Sequence, residues 1–229
     1  PQRVFYYFEE ISKIPHGSGN TRQISDYLAA FAQKQGLKWI QDESNNVVIF
    51  KEASKGYENA PTVMLQGHMD MVCEKKAGST HDFTRDPLEL QVNGDFISAK
   101  GTTLGGDDGI AVAYGLALLE DNTLEHPALE VVFTVDEEIG LLGAAALDAS
   151  CLKAKYLINL DSEEEGILWA GCAGGMTAVT KLPVRYQEGT GMKWEIQVSG
   201  LLGGHSGAEI DKNRANATVV LARFLKECR

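Results

Sequence analysis

The sequence predicts an α/β fold, in which a mostly parallel sheet is flanked by helices and is followed by the beginning of a smaller α+β domain. Up to Asp161, short apolar runs alternate with segments whose apolar residues recur at helical spacing. The runs are apolar at consecutive positions, which is typical of strands buried on both faces. After Ala173 this alternation stops, which indicates a second domain.

The first part of the chain predicts two helices and a hairpin. Apolar residues at helical spacing indicate a helix over residues 4–14, which Pro15 and the glycines after it end. A second helix begins after the N-cap Thr21 and stops at Gly36. Residues 38–41 and 47–51 then predict two strands joined by a turn-rich segment.

A histidine and a carboxylate follow the next predicted strand. Residues 61–67 form an apolar run with a glycine exit, and His68 and Asp70 come just after it. Residues two apart in an extended segment point to the same side, so this imidazole and carboxylate can face one site. The polar residues 80–97 predict a long loop with an edge hairpin.

A glycine-rich stretch over residues 101–109 leads into an apolar helix over residues 110–119. It lacks the Lys-Ser/Thr pair of a phosphate-binding loop, and the acids Asp107 and Asp108 would repel phosphate. These two acids suit a metal ion instead. For Asp108 alone, the position at the helix entrance favours an N-cap.

Two further predicted strands end in carboxylates. Residues 129–135 run into Asp136, Glu137 and Glu138, and an alanine-rich helix over residues 141–147 follows. Residues 156–160 form the next strand, which ends at Asp161. Neighbouring acids at the end of an apolar strand repel one another and lose hydration, unless a cation or a proton-transfer task brings them together.

The remaining segment predicts two strands over residues 176–182 and 193–199, a loop over residues 200–207, and a helix over residues 215–228. The strands that would complete a sheet are missing. We therefore expect residues 182–229 to be the truncated start of a second domain, and residues 1–181 to be an incomplete first domain whose C-terminal part lies outside this sequence.

Composition excludes several classes of function. The 229 residues carry a formal charge of −11, which disfavours a nucleic acid or an anionic membrane as a partner. The four cysteines have no CxxC spacing, so neither a thiolate zinc site nor a disulfide framework is expected. No leader and no apolar run of about 20 residues is present, and the expected location is cytoplasmic.

The candidate site residues come from four segments, three of which exit predicted strands while the fourth opens a helix. Open α/β sheets bind ligands beyond the carboxyl ends of their strands, so these residues are expected to converge. One imidazole and several carboxylates suit Zn²⁺, with Mn²⁺ and Co²⁺ as alternatives. Two divalent ions are expected, because one would leave much of the negative charge uncompensated.

These motifs resemble those of the M20 metallopeptidases in order and in approximate spacing. They are Gly67-His68-Met69-Asp70, Gly105-Gly106-Asp107-Asp108-Gly109, Asp136-Glu137-Glu138-Ile139-Gly140 and Asn159-Leu160-Asp161-Ser162. Residues 81–84, 171–175 and 204–207 extend the resemblance to most of the chain. The sequence is most similar to the aminoacyl-histidine dipeptidase branch of this family.

The resemblance implies the metal ligands. His68 and Asp161 would bind one ion, Asp107 would bridge both ions, and Glu138 would bind the other. A further histidine ligand of that second ion is expected in the family, and no histidine follows His205 in this sequence. We therefore expect the complete protein to be about twice as long, and the 229-residue piece to bind metal incompletely and to be inactive.

The resemblance also implies three catalytic roles. Asp70 would fix the orientation of the ligand imidazole. Glu137 would be the general base that takes a proton from a metal-activated water. His205 would support the oxyanion when a lid domain closes, and that lid would also join two full-length chains into a homodimer.

The function that follows is hydrolysis of the peptide bond of dipeptides, Xaa-His and other short unblocked peptides among them. Two alternatives stay open. One is an amidohydrolase of the same fold that acts on N-acyl amino acids, and the other, for the 229 residues themselves, is a non-catalytic metal-binding module. Residues 163–165 are predicted to be a solvated charge run rather than part of the site.

Overall fold

The structure is a computed structural model, and it describes residues 1–162, 164–172, 174, 176, 178–204 and 209–228. The chain divides into two compact units, Pro1–Glu164 and Glu165–Arg229. The domain boundary between residues 181 and 182 stays a prediction for the complete protein.

The described residues of the first unit form four α-helices and one short 3₁₀ helix (Ala149–Cys151). The α-helices are α1 (Gln2–Ser12), α2 (Arg22–Lys34), α3 (Gly106–Glu120) and α4 (Leu142–Ala146). Each of the first two helices buries one apolar stripe, which includes Phe8 and Ile11 in α1 and Ile24 and Leu28 in α2. The third helix is apolar on most of its surface, because it packs against both α1 and the sheet.

The described residues of the first unit also form seven strands, and five of these strands make up the central sheet. The strands are β1 (Lys38–Gln41), β2 (Val47–Lys51), β3 (Val63–His68), β4 (Leu90–Asn93), β5 (Phe96–Ala99), β6 (Leu129–Thr134) and β7 (Tyr156–Asn159). The order in the sheet is β1-β2-β6-β3-β7, and only β2 runs opposite to the other four. The predicted α/β fold with a mostly parallel sheet is therefore confirmed. The hairpin of β4 and β5 forms its own two-stranded sheet rather than an edge of the central one.

The close approach of α3 to β3 depends on a glycine. A Cβ atom added at Gly67 would overlap Ala111 Cβ and the Asp108 carboxylate. Only the absence of a side chain at this position of β3 lets the helix lie against the strand. The first turn of α3, with its two acids, is thereby brought against the carboxyl end of β3.

We expect Gly67→Ala to lower the free energy of unfolding by about 1–3 kcal/mol, because the added methyl group has no space and its neighbours belong to a packed helix. Gly106→Ala is the matched control, since a Cβ there meets only Leu104 Cδ2 at an ordinary 3.6 Å. Denaturant unfolding of both variants measures the difference. Equal stabilities would show that α3 can move away from β3 without cost.

The second unit contains, among its described residues, a short 3₁₀ turn (Ile210–Lys212) and the helix α5 (Ala217–Glu227), whose N-cap Asn216 accepts a hydrogen bond from Val219 N. The predicted helix over residues 215–228 is thus confirmed. The predicted strands over residues 176–182 and 193–199 are wrong, since the described residues of these segments form no strand. A strand requires a hydrogen-bonded partner strand, and local sequence shows only the tendency to form one.

No helix in the described ranges is both long and apolar enough to cross a membrane.

Candidate metal centre

The candidate site lies at the carboxyl ends of three neighbouring parallel strands. His68 is the last residue of β3 and is in register with Thr134 at the end of β6. The turn after β6 carries Glu137 and Glu138, and Asp161 follows β7 by two residues. The sheet topology therefore brings together residues that are up to 93 positions apart, as expected for ligands of an open α/β sheet.

His68 is the centre of the cluster and is only 1% exposed. Its Nε2 atom lies 3.1 Å from Asp107 Oδ1 and 4.0 Å from Glu137 Oε2. Burial alone would lower the pKa of His68, but the hydrogen bonds to Asp107 and Asp70 outweigh it and raise the pKa to about 11. Without a metal ion, the imidazole therefore keeps a proton that neutralises part of the acidic charge. A metal ion that bound at Nε2 would displace this proton.

Asp70 fixes the other side of the imidazole ring. Its backbone oxygen lies 2.9 Å from His68 Nδ1, and its Oδ1 atom lies 3.4 Å from the same nitrogen. The same Oδ1 accepts a hydrogen bond from Glu137 N at 3.1 Å. Burial opposes ionisation of Asp70, but the hydrogen bonds of its carboxylate lower its pKa. One ionised carboxylate thus connects a candidate metal ligand with the candidate general base.

Among the residues that the structure describes, two groups of side chains have the donor atoms to hold a metal ion. The ligand atoms within each group lie within 4.8 Å of one another. The first group is His68, Asp107 and Glu138, and the second is His68, Asp108 and Asp161. All four ligands predicted from the sequence appear in these groups, and both groups share the imidazole.

Asp108 belongs to this cluster, and its predicted role as a helix cap is wrong. The described hydrogen bond of the Asp108 carboxylate comes from the backbone of β3 and not from an N–H group of α3. The Asp108 side chain is buried, and its Oδ2 atom accepts a hydrogen bond from His68 N at 3.3 Å. The backbone of Asp107 and Asp108 is non-helical, so the regular helix begins only after both acids. Burial raises the pKa of Asp108 to about 7.

The turn after β6 is fixed by Asn46, which was not predicted to belong to the site. Its Oδ1 atom accepts a hydrogen bond from Val135 N at 3.1 Å, and its Nδ2 atom donates to Gly143 O at 2.9 Å. These two hydrogen bonds hold the residues on either side of the segment that carries Glu137 and Glu138. Asn46 lies in a turn-rich segment of the sequence, where an asparagine predicts only a turn.

The electrostatics of the cluster fit a divalent cation. Burial raises the pKa of Glu137 and of Glu138, and the charges of neighbouring acids raise both further. Carboxylates gathered in this way take up protons or cations to reduce their repulsion. A mixture of imidazole nitrogen and carboxylate oxygen donors, without thiolate, is a donor set that suits Zn²⁺ or Mn²⁺. His205 lies outside the described residues, so its predicted role stays a prediction.

Comparisons with known proteins support the motif resemblance. The profile of Peptidase family M20/M25/M40 matches residues 64–224. The chain is 41% identical over 227 residues to the cytosol non-specific dipeptidase of Escherichia coli (strain K12), which covers 98% of this chain and 47% of that protein. It is also similar to the solved structure of aminoacylhistidine dipeptidase from Vibrio alginolyticus, with 37% identity, a TM-score of 0.75, and coverage of 98% of this chain and 46% of that one.

A tripeptidase structure from Staphylococcus aureus is similar at 26% identity and a TM-score of 0.60, over 71% of this chain and 44% of that one. The chain spans about half the length of the curated relatives it matches. The profile covers more than half of the chain and includes all four predicted metal ligands. The chain therefore belongs to peptidase family M20/M25/M40.

Proposed function

We propose that the protein is a metal-dependent dipeptidase that hydrolyses short peptides with a free amino end, including Xaa-His dipeptides. The observation that carries this proposal is the pair of candidate ligand groups that share His68. The carboxylate of Glu137 belongs to neither group, and its Oε2 atom lies 4.0 Å from His68 Nε2. The identity to a cytosol non-specific dipeptidase supports the substrate class. That relative's name also supports a cytoplasmic location.

In this proposal the cluster would hold two divalent ions, with zinc as the expected metal. His68 and Asp161 would bind one ion, Glu138 would bind the other, and Asp107 would bridge them. Asp108, which shares a ligand group with Asp161, is placed to add to the charge that holds the first ion. When bound, the ions would polarise the scissile carbonyl and lower the pKa of water toward ~7.

Glu137 is the proposed general base. Its side chain is 30% exposed, so it can reach both the cluster and the solvent. Partial burial raises the pKa of the Glu137 carboxyl group, which favours acceptance of a proton. It would take a proton from the attacking water and return it to the departing amine. Asp70 would hold the Glu137 backbone in place while the side chain moves the proton.

His205 and the second domain complete the proposal. His205 would support the negatively charged oxygen that forms during attack. Residues 182–229 would be the start of a lid domain, through which the full-length chains form a homodimer. These assignments follow from the motif resemblance alone.

The proposal is tested by the substrates of the full-length protein. We expect hydrolysis of Xaa-His dipeptides with kcat/KM values well above those for N-acetyl amino acids, because the family branch that the sequence matches acts on unblocked dipeptides. Preference for the acylated compounds would instead identify an amidohydrolase. Absence of both activities in protein that contains metal would favour a non-catalytic metal-binding protein.

We expect a chelator to abolish dipeptide hydrolysis by the full-length protein, and added Zn²⁺ to restore it. The acids of the cluster carry no positive charge of their own to polarise a carbonyl, and the proposed base needs an activated water. Rates measured before chelation, after chelation and after re-addition of metal check this. Activity that survives complete metal removal would rule out a metal-dependent mechanism.

A further inference from the structure

The segment between α1 and α2 contacts both of the loops that carry the proposed catalytic acids. The Ser18 hydroxyl donates a hydrogen bond to Asp70 Oδ2 at 2.7 Å. The next residue, Gly19, donates its backbone N–H to Asp136 Oδ1 at 2.7 Å. One short segment thus joins the loop after β3, which contains Asp70, to the turn after β6.

The backbone of this segment is fixed by the chain that it contacts. Ser18 N donates to Met71 O, and Met71 N donates to His16 O, both at 3.2 Å. A Cβ atom at Gly17 would overlap Cys73 Sγ, so the segment between α1 and α2 is in direct contact with the loop after β3. The hydroxyl of Ser18 is therefore presented to Asp70 by a backbone that has little freedom to shift.

The hydroxyl satisfies the second oxygen of a carboxylate that has no exposed surface. The Oδ1 atom of Asp70 lies 3.4 Å from His68 Nδ1 and accepts a hydrogen bond from Glu137 N at 3.1 Å. The described hydrogen bond of the other oxygen, Oδ2, comes from Ser18. A carboxylate that loses a hydrogen bond at one oxygen is free to rotate, or to take up a proton there. Either change would disturb the contact that Oδ1 makes with the ligand imidazole.

We propose that Ser18 is a positioning residue of the metal centre, whose hydroxyl holds the Asp70 carboxylate in the orientation that aligns both His68 and Glu137. This inference rests on the proposed function, because it assumes that His68 binds a metal ion. Partners of ligand residues beyond the ligands themselves affect metal affinity by about 10–100-fold. Ser18 acts one hydrogen bond further away, so an effect of about 10-fold is expected.

The test compares Ser18→Ala with Ser12→Ala in the full-length protein. Ser12 is the matched control, since its hydroxyl also makes a 2.7 Å hydrogen bond, but to Phe8 O within α1. Zn²⁺ dissociation constants are measured by competition with a chromophoric chelator, and the Tm of the metal-free proteins is recorded. We expect about 10-fold weaker zinc binding for Ser18→Ala and less than 2-fold change for Ser12→Ala.

A third variant and a second readout separate positioning from a general loss of stability. Ser18→Thr keeps the hydroxyl and is expected to recover most of the zinc affinity. In Co²⁺-substituted protein, the visible absorption of the metal should change in Ser18→Ala and return in Ser18→Thr. Among the full-length variants, kcat should fall in Ser18→Ala with KM little changed.

Zinc affinity of Ser18→Ala within 2-fold of the Ser12→Ala value would overturn the inference. So would an equal loss in Ser18→Ala and Ser18→Thr, because the hydroxyl would then not be the cause. Metal affinity is measured without a substrate, so the result does not depend on peptidase activity. If the protein binds zinc but hydrolyses no dipeptide, the proposed function fails while the role of Ser18 is still decided.

Discussion

Replacement of Glu137 by glutamine is expected to lower kcat for dipeptide hydrolysis by about 10²–10⁴-fold and to leave the metal content unchanged. The amide of glutamine keeps the size of the side chain but accepts no proton from water. The hydrogen bond from residue 137 to Asp70 comes from the backbone, so it survives the substitution. Steady-state kinetics together with elemental analysis of the same protein sample measure both parts of the prediction.

Glu43→Gln is the matched control for this variant. Glu43 is exposed in the turn between β1 and β2, and it contributes to neither ligand group. We expect its kcat to equal that of the unmodified protein. If Glu137→Gln kept full activity, another residue would have to be the general base. If it lost metal as well as activity, Glu137 would be a ligand rather than a base.

Replacement of His68 by glutamine is expected to weaken zinc binding by more than 100-fold and to abolish hydrolysis. His68 supplies the single nitrogen donor of the two candidate ligand groups, so the change leaves the ion that it would bind with carboxylates alone. Loss of a direct ligand should exceed the 10–100-fold effect that is typical of residues behind the ligands. Zinc affinity by competition titration is the measurement.

His126→Gln controls for the replacement of a histidine outside the site. The Nδ1 atom of His126 contacts Pro127 O at 2.8 Å, and the residue lies in the loop before β6 rather than after it. Its zinc affinity should be unchanged. Zinc binding by His68→Gln at the level of this control would show that the acids bind metal without the imidazole, and that the ligand assignment is wrong.

The sheet and the place of the site were predictable because they depend on local patterns. The hairpin strands β1 and β2 have the predicted bounds, since short runs of strand-forming residues and the turn-rich segment between them specify these strands within a few residues. Strand β3 ends at a site residue, His68, and β6 and β7 each end two or three residues before one. Parallel strands place their carboxyl ends together, so this pattern alone predicts a common site.

The contacts that position the site were not predictable, because they join distant parts of the chain. Asn46 contacts the turn after β6, and Ser18 contacts Asp70 across 52 positions. Nothing in the local sequence of either residue indicates these partners. Asp108 was predicted to cap a helix from its position alone, whereas the close packing at Gly67 turns it toward the His68 backbone.

In the second unit, the local sequence predicted a helix correctly but predicted strands that the structure does not contain in its described residues. Residues 193–199 contain alternating apolar and polar residues, yet the structure gives them no strand. Such a segment becomes a strand only when another strand supplies its hydrogen-bonding partners. Helix α5 needs no such partner, because its backbone hydrogen bonds are internal, and it appears close to where the sequence predicted it.

Metal content is the direct test of whether the acids around His68 form a metal centre. Elemental analysis of the full-length protein after extensive dialysis should find two divalent ions per chain, with zinc as the main one. The same measurement on His68→Gln should find a clear loss. Protein that is folded and active on dipeptides but contains no stoichiometric metal would show that this cluster is not a catalytic metal centre.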